Sequence, residues 1–222
     1  MIYLDNAATS FHKPDCVPRA VVEAMQHAGN SGRGSSGEAM AASRLIFNTR
    51  CQIAEMFDVW GPECVAFTSN DTEALNIALQ GTLHPEEETI HAICTEMDHN
   101  SVLRPLYRLE KKGMELTILP ADRKGRISLT ELEAAIRPET KVIVCTHASN
   151  LTGNLNDIHA IGAIAQKHQK LFIVDAAQTA GVFPISMKKD HIDILCFSGH
   201  KGLMGPRAQE LSVFGQGYLW SL

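Results

Sequence analysis

Short apolar runs recur along the chain, with helix-periodic stretches between them. The runs at 65–68, 91–94, 116–119, 141–146, 171–175 and 192–198 are rich in Val, Ile, Leu and Phe, which predicts strands. Helices are predicted over 16–28, 37–57, 72–82, 101–112, 128–136 and 156–168. The second has the clearest period, with Ala41, Leu45, Ile46, Thr49, Ile53 and Met56 on one face. Stop signals agree: Gly113 follows Lys111 and Lys112, and Pro138 follows Arg137. Strands alternating with helices describe βαβ units, so the fold class expected is α/β, a mostly parallel sheet with flanking helices. Residues up to Pro62 are helical and glycine-rich and are expected to form an arm or cover outside that sheet.

Composition narrows the class without naming a function. The 222 residues are enough for one large domain, or for one and part of a second. With 45% hydrophobic and 20% charged residues the chain is an ordinary globular one. Twenty Lys+Arg against 25 Asp+Glu leave a net charge of −5, which gives no footprint for nucleic acid or an anionic membrane. No apolar run is long enough to span a bilayer, and MIYLDNAATS does not read as a signal peptide, so a cytoplasmic enzyme is expected. The six cysteines, Cys16, Cys51, Cys64, Cys94, Cys145 and Cys196, form no CxxC pair and read as buried reduced thiols. Cys94 and His99 have poor zinc spacing and no second pair, so no metal is expected.

One motif is a decoy. GRGSSG at 32–37 matches the dinucleotide fingerprint GxGxxG, with Glu55 and Asp58 near the place of a ribose-binding acid. The fingerprint needs a strand before it, and 17–30 reads instead as a helix and a loop. A connector or a ligand-flanking loop fits better.

The polar residues that follow each predicted strand are more informative, because open parallel sheets bind ligands beyond the carboxyl ends of their strands. Ser69, Asn70, Asp71 and Thr72 follow the first run; Asp98, His99 and Asn100 the second. His147, Ser149 and Asn150 follow 141–146, Asp175 and Gln178 close 171–175, and Ser198, His200 and Lys201 close 192–198. The hydroxyls of Ser69 and Thr72 at a helix start suit a phosphate, to which Ser198 and His200 can add donors. Asp175 behind an apolar strand calls for a cationic partner such as a protonated pyridine nitrogen. His99 can stack on an aromatic ring, and Lys201 can form an imine. A phosphate cradle, an acid for a ring nitrogen and an imine lysine together point to pyridoxal 5′-phosphate.

Those residues stand in stretches that resemble a known family. YLDNAATSFHKP, FTSNDTEALN, EMDHNSVLRPL, THASNLTGN, VDAAQTAGVFPI and FSGHKGLMGP are similar, in order from Met1 to about Pro206, to the class V aminotransferase-fold family, cysteine desulfurase group. The resemblance implies the large domain of a type I pyridoxal-phosphate-dependent transferase, with catalytic roles for Lys201 and His99. It implies that Lys201 carries the cofactor as an imine, Asp175 holds the pyridine nitrogen protonated and Gln178 bonds the phenolic oxygen. His99 would stack on the ring, Thr72 and the backbone at Asp71 would hold the phosphate with Ser198 and His200, and Asn150 would lie near the phenolic oxygen and substrate. Asp71 replaces a common alanine and is expected to point away from the phosphate. Ser31 stands where proline is frequent. The activity implied is conversion of L-cysteine to alanine with transfer of sulfur to an enzyme thiol, in a cytoplasmic homodimer that can hand sulfur to an acceptor protein. A related class V aminotransferase, a selenocysteine lyase and an inactive cofactor-binding remnant are the alternatives.

The last 16 residues depart from the family pattern. After GLMGP the family continues with a stretch such as QGTGALCVR, whereas this chain reads RAQELSVFGQGYLWSL. A suitable choice of synonymous codons turns one reading into the other by a one-base shift near the Pro206 codon, so a frameshifted tail is expected. The organisation expected is an N-terminal arm and helices (1–62), an incomplete cofactor-binding large domain (63–206) and an aberrant tail (207–222). The small C-terminal domain, the family's sulfur-accepting cysteine and its substrate-carboxylate arginine are expected to be missing. Leu211 to Phe214 are expected to replace in part the last strand of the sheet, whose loss would otherwise leave an open edge.

Overall fold

The computed structural model describes residues 2–32, 35–86, 88–206 and 210–214, the last five by backbone alone. The middle of the decoy motif, at 33–34, and tail residues 207–209 and 215–222 lie outside the described residues. The chain runs through α1 (Cys16–His27), α2 (Gly37–Met56), a short 3₁₀ turn (Pro62–Cys64), β1 (Val65–Thr68), α3 (Asp71–Thr82), β2 (His91–Thr95) and α4 (Asn100–Glu110). It continues through β3 (Glu115–Leu119), α5 (Leu129–Ala135), β4 (Thr140–Thr146), α6 (Ile158–Lys167), β5 (Leu171–Asp175), β6 (Ile194–Ser198) and β7 (Glu210–Phe214). Every predicted helix and strand is present, with ends displaced by at most two residues.

The strands form one sheet in the order β1-β7-β6-β5-β4-β2-β3. β2 through β6 pair in parallel, and β7 runs antiparallel to both β1 and β6. Glu210–Phe214 therefore occupies the place between β1 and β6 that the sequence assigned in part to Leu211–Phe214. Because β1 and β6 are each antiparallel to β7, β1 points the same way as the parallel strands. The carboxyl ends of β1, β2, β4, β5 and β6 consequently open on one edge.

The central strands are buried on both faces, as parallel strands covered by helices must be. Ile143 and Cys145 of β4, Phe172 and Val174 of β5, and Leu195 and Phe197 of β6 join one apolar cluster with Phe57, Val59 and Ile161. Their neighbours Val142, Val144, Ile173, Ile194 and Cys196 face the other, packed with Leu75 and Leu79 of α3 and Leu106 of α4. Each such large side chain contributes about 1.5–3 kcal/mol by leaving water. Helix starts are capped from the sequence: the side chains of Asn70, Ser128 and Asp157 accept the backbone N–H of Glu73, Glu131 and Ala160.

Helix α2 departs from its predicted face. Its buried residues are Ala39, Ala42, Ile53 and Ala54, whereas Leu45, Ile46, Phe47 and Met56 stay exposed. Ile53 and Ala54 join the apolar cluster of Phe57, whereas Leu45, Ile46 and Phe47 in the middle of the helix belong to no cluster among the described residues. α1 buries no residue at all. Among the described residues no helix is long and apolar enough to cross a membrane.

Candidate functional site

A cavity of about 340 Å³ opens at the carboxyl edge of the sheet. The nine residues given site roles by the family resemblance, Asp71, Thr72, His99, Asn150, Asp175, Gln178, Ser198, His200 and Lys201, line it, whereas Ser69, also named from the sequence as a phosphate donor, does not. They arrive from the carboxyl ends of five strands, β1, β2, β4, β5 and β6, or from the turn or helix that follows, so the parallel order of the sheet is what gathers them. Asp175 and Ser198 are buried, whereas Thr72, His99 and Asn150 are exposed.

The first wall is the start of α3. Asn70 caps the helix, Asp71 and Thr72 form its first turn, and the free N–H groups there favour an anion. Asp71 is 9% exposed and lines the cavity, with its Oδ1 out of reach of solvent. As a first-turn acid it is itself favoured by the helix dipole.

The second wall is the turn between β2 and α4. The Nδ1 of His99 accepts the N–H of Ser101 at 3.2 Å and lies 2.8 Å from Ser101 Oγ. A nitrogen that accepts from a backbone N–H carries no proton, so in neutral His99 the proton sits on Nε2. Beside it, the carboxylate of Asp98 is buried and accepts from Thr95 N (2.7 Å), Thr95 Oγ1 (2.9 Å) and Thr146 N (2.5 Å). Burial pushes this carboxyl up to about 7, with repulsion from Asp175 adding to the rise and the donors opposing it.

The floor is made by the ends of β4, β5 and β6. Asp175 is 3% exposed, and one of its oxygens accepts Ala177 N at 2.9 Å. Its backbone oxygen takes His147 N at 2.8 Å, which ties β5 to the β4 loop. Lys201 follows β6 in a tightly folded turn. A Cβ at Gly202 would stand 2.3 Å from the carbonyl oxygen of Ala180, so only glycine lets the lysine turn lie against that loop. Burial lowers the basicity of His147, and pushes the Cys145 thiol well up beside Asp98 and Asp175.

The N-terminal arm supplies a wall that the strand pattern gave no reason to expect. Ala7 and Ala8 line the cavity. Gln178 Nε2 donates to Ala7 O at 3.0 Å, Ser10 Oγ donates to His200 O at 2.9 Å, and Lys13 Nζ donates to Ser10 Oγ at 2.9 Å. Asn70, Ser101, Thr146, Ala148 and Ala177 also line the cavity, and each stands within a few positions of a residue named from the sequence. None of the six cysteines, all among the described residues, lines it; four are buried as expected, whereas Cys16, on the unburied helix α1, is exposed and Cys51 half-buried.

The donor set suits pyridoxal phosphate: a buried carboxylate for a cationic ring nitrogen, a helix start with Thr72 and Ser198 hydroxyls for a phosphate, and a primary amine for an aldehyde. Asp71 is the one residue whose charge opposes that fit.

Comparison with known proteins agrees with this arrangement. The Aminotransferase class-V family pattern matches residues 2–208. The chain is 35% identical over 210 residues to "Cysteine desulfurase IscS" of Vibrio atlanticus (strain LGP32), covering 93% of this chain and 51% of that protein. Among solved structures, "NIFS-LIKE PROTEIN" superposes with a TM-score of 0.90 at 29% identity, covering 97% of this chain and 59% of that one. "SspA in complex with cysteine" superposes with a TM-score of 0.86 at 31% identity, covering 96% and 61%. The chain thus spans about half the length of the curated relatives it matches.

Proposed function

Since this chain belongs to the Aminotransferase class-V family, we propose that it binds pyridoxal phosphate in the 340 Å³ cavity and acts on a small amino acid, L-cysteine, in the manner of a cysteine desulfurase. The observation that carries the reading is the meeting of Lys201, Asp175 and the start of α3 around one cavity. Similarity to cysteine desulfurases and to a protein solved with cysteine supports the substrate class.

Bound there, the cofactor would supply an aldehyde for imine formation and a ring that withdraws electrons from the substrate's α-carbon. The protein's own groups do the rest. Thr72, Ser198, His200 and the first N–H groups of α3 would hold the phosphate. The Asp175 carboxylate, nearly out of water, favours a proton on the ring nitrogen. His99 would lie against the ring, and Gln178 and Asn150 would orient the phenolic oxygen and substrate. Lys201 would hold the cofactor at rest and, as a free amine, could move the α-proton. With no cysteine lining the cavity, capture of sulfur requires a thiol from outside it.

The same reading takes residues 63–206 as the cofactor-binding unit and 1–62 as an arm and cover. It places the protein in the cytoplasm as a homodimer serving a sulfur-acceptor protein. The exposed Val22 and Met25 of α1 and Leu45 and Phe47 of α2 give such an assembly apolar surface to cover. The test is the visible absorbance of a lysine imine on addition of pyridoxal phosphate, its loss in Lys201→Ala, and its change on addition of L-cysteine. Absorbance that persists in Lys201→Ala contradicts the assignment.

A second reading, a cofactor-binding chain without sulfur release, is favoured by that absence of a lining cysteine. Alanine and sulfide measured from L-cysteine separate the two.

A further inference from the structure

The ladder between β2 and β4 is registered from His91 to Ile93 and no further toward the cavity. Beyond that point the two strands carry different walls: β2 leads into the turn of His99, and β4 into Thr146, Ala148 and Asn150. The side chain that spans the gap is Asp98. Oδ2 accepts Thr95 N and Thr95 Oγ1, closing the turn on itself, while Oδ1 accepts the backbone N–H of Thr146, three residues past the last registered pair on β4.

Thr146 in turn stands opposite Asp175 in the β4–β5 register. One carboxylate therefore connects the turn of His99, the end of β4 and, one strand on, the acid that faces the ring nitrogen. Both of its oxygens are engaged by backbone N–H groups that cannot rotate away. A carboxylate accepts at both oxygens, whereas an amide must turn its NH₂ toward one of those donors.

We propose that Asp98 is a positioning residue for the cofactor cavity: its carboxylate replaces the missing strand pairing and locks the His99 turn to β4, fixing the wall against which the pyridoxal phosphate ring would lie. The proposal rests on the cofactor reading above and deepens it. Asp98 touches neither cofactor nor substrate; it acts through His99 and Thr146. Its retention is costly on its own terms, since burial and the nearby Asp175 both disfavour its charge.

The test uses the cofactor-free chain first. The ¹⁵N signals of the His99 ring, assigned by their loss in His99→Gln, report whether Nδ1 remains an unprotonated acceptor. In Asp98→Asn the Nδ1 signal is expected to broaden or move toward a mixture of tautomers. The dissociation constant for pyridoxal phosphate is expected to rise by about tenfold. Ile93→Val, which loosens the same strand without touching the carboxylate, is expected to change neither. If Asp98→Asn does not fold, Thr95→Val removes one of the three donors and keeps the charge, and the ring signal is expected to move part of the way. An unchanged Nδ1 signal in the folded variant, or equal effects in Ile93→Val, overturns the proposal. Because the ring signal is read without cofactor, it decides the role of Asp98 by itself. A wild-type chain that fails to bind pyridoxal phosphate counts against the proposed function instead.

Discussion

Thr9 Oγ1 lies 2.9 Å from His200 Nδ1, across 191 positions of sequence. The contact joins the N-terminal arm to the residue just before Lys201, and Ser10 Oγ and Lys13 Nζ reinforce it at the His200 carbonyl oxygen, at 2.9 and 3.4 Å. The arm is therefore a wall of the cavity, held by polar contacts in the absence of an apolar core of its own. Thr9→Val keeps the shape and removes the hydroxyl. The variant is expected to lose about 1 kcal/mol of stability in urea unfolding and to bind pyridoxal phosphate several-fold more weakly. Unchanged cofactor affinity would show that the arm is not part of the site.

Asp71 places a carboxylate in the first turn of α3, in the wall assigned to a phosphate. Removing a like charge at such a distance, partly out of water, is worth on the order of 1–2 kcal/mol. Asp71→Ala is accordingly expected to tighten pyridoxal phosphate binding by about tenfold at low salt, with the gain shrinking as salt rises. Weaker binding by the variant would mean that the acid assists the site.

Gly202 sets the path of the lysine turn. A methyl group there meets Ala180 O at 2.3 Å and Val182 Cγ2 at 2.7 Å, and the first is backbone that cannot swing aside. Gly202→Ala is expected to destabilise the fold by about 2 kcal/mol or more and to abolish the imine absorbance before the chain unfolds. Calorimetry and absorbance on the same sample check both halves.

His91 is fully buried in the sheet, far from the cavity, with Nδ1 at 2.8 Å from Thr140 Oγ1 and Nε2 at 2.9 Å from Thr117 Oγ1. Burial, assisted by Arg137, lowers its pKa from 6.5 to about 4. The folded state thus binds fewer protons than the unfolded one across that window. Stability is full above pH 6.5, is lost as pH falls, and by pH 4 is lower by about 3 kcal/mol. His91→Gln removes this titration, so the stability difference between wild type and variant is expected to shrink from pH 7 to pH 4. A constant difference would rule out His91 as the acid-labile group.

The fold was legible because its signal is local. Runs such as LFIV before Asp175 are apolar on both faces, and a strand covered on both faces is the arrangement that buries them. The site was legible for a related reason: once the strands are parallel, residues at their carboxyl ends must meet, and His99, Asp175 and Lys201 do. The periodicity of α2 misled, since Leu45, Ile46 and Met56 are apolar without being buried, and period alone does not tell a core from a surface awaiting cover. The arm was missed as a wall because Ala7 and Ala8 have no chemistry to notice, and the contacts that hold this stretch, Gln178 to Ala7 and Ser10 to His200, join residues distant in sequence. The orientation of Asp71 depends on where the first turn of α3 meets the cavity, a tertiary fact that no spacing reveals.

In the proposed function Lys201 is the residue that takes the cofactor. Reduction of the chain with borohydride in the presence of pyridoxal phosphate, followed by peptide mass analysis, reads this directly. A pyridoxyl label concentrated on Lys201, and strongly diminished in Asp175→Ala, is the result expected. Label spread over the exposed lysines, or unaffected by Asp175→Ala, would contradict the account.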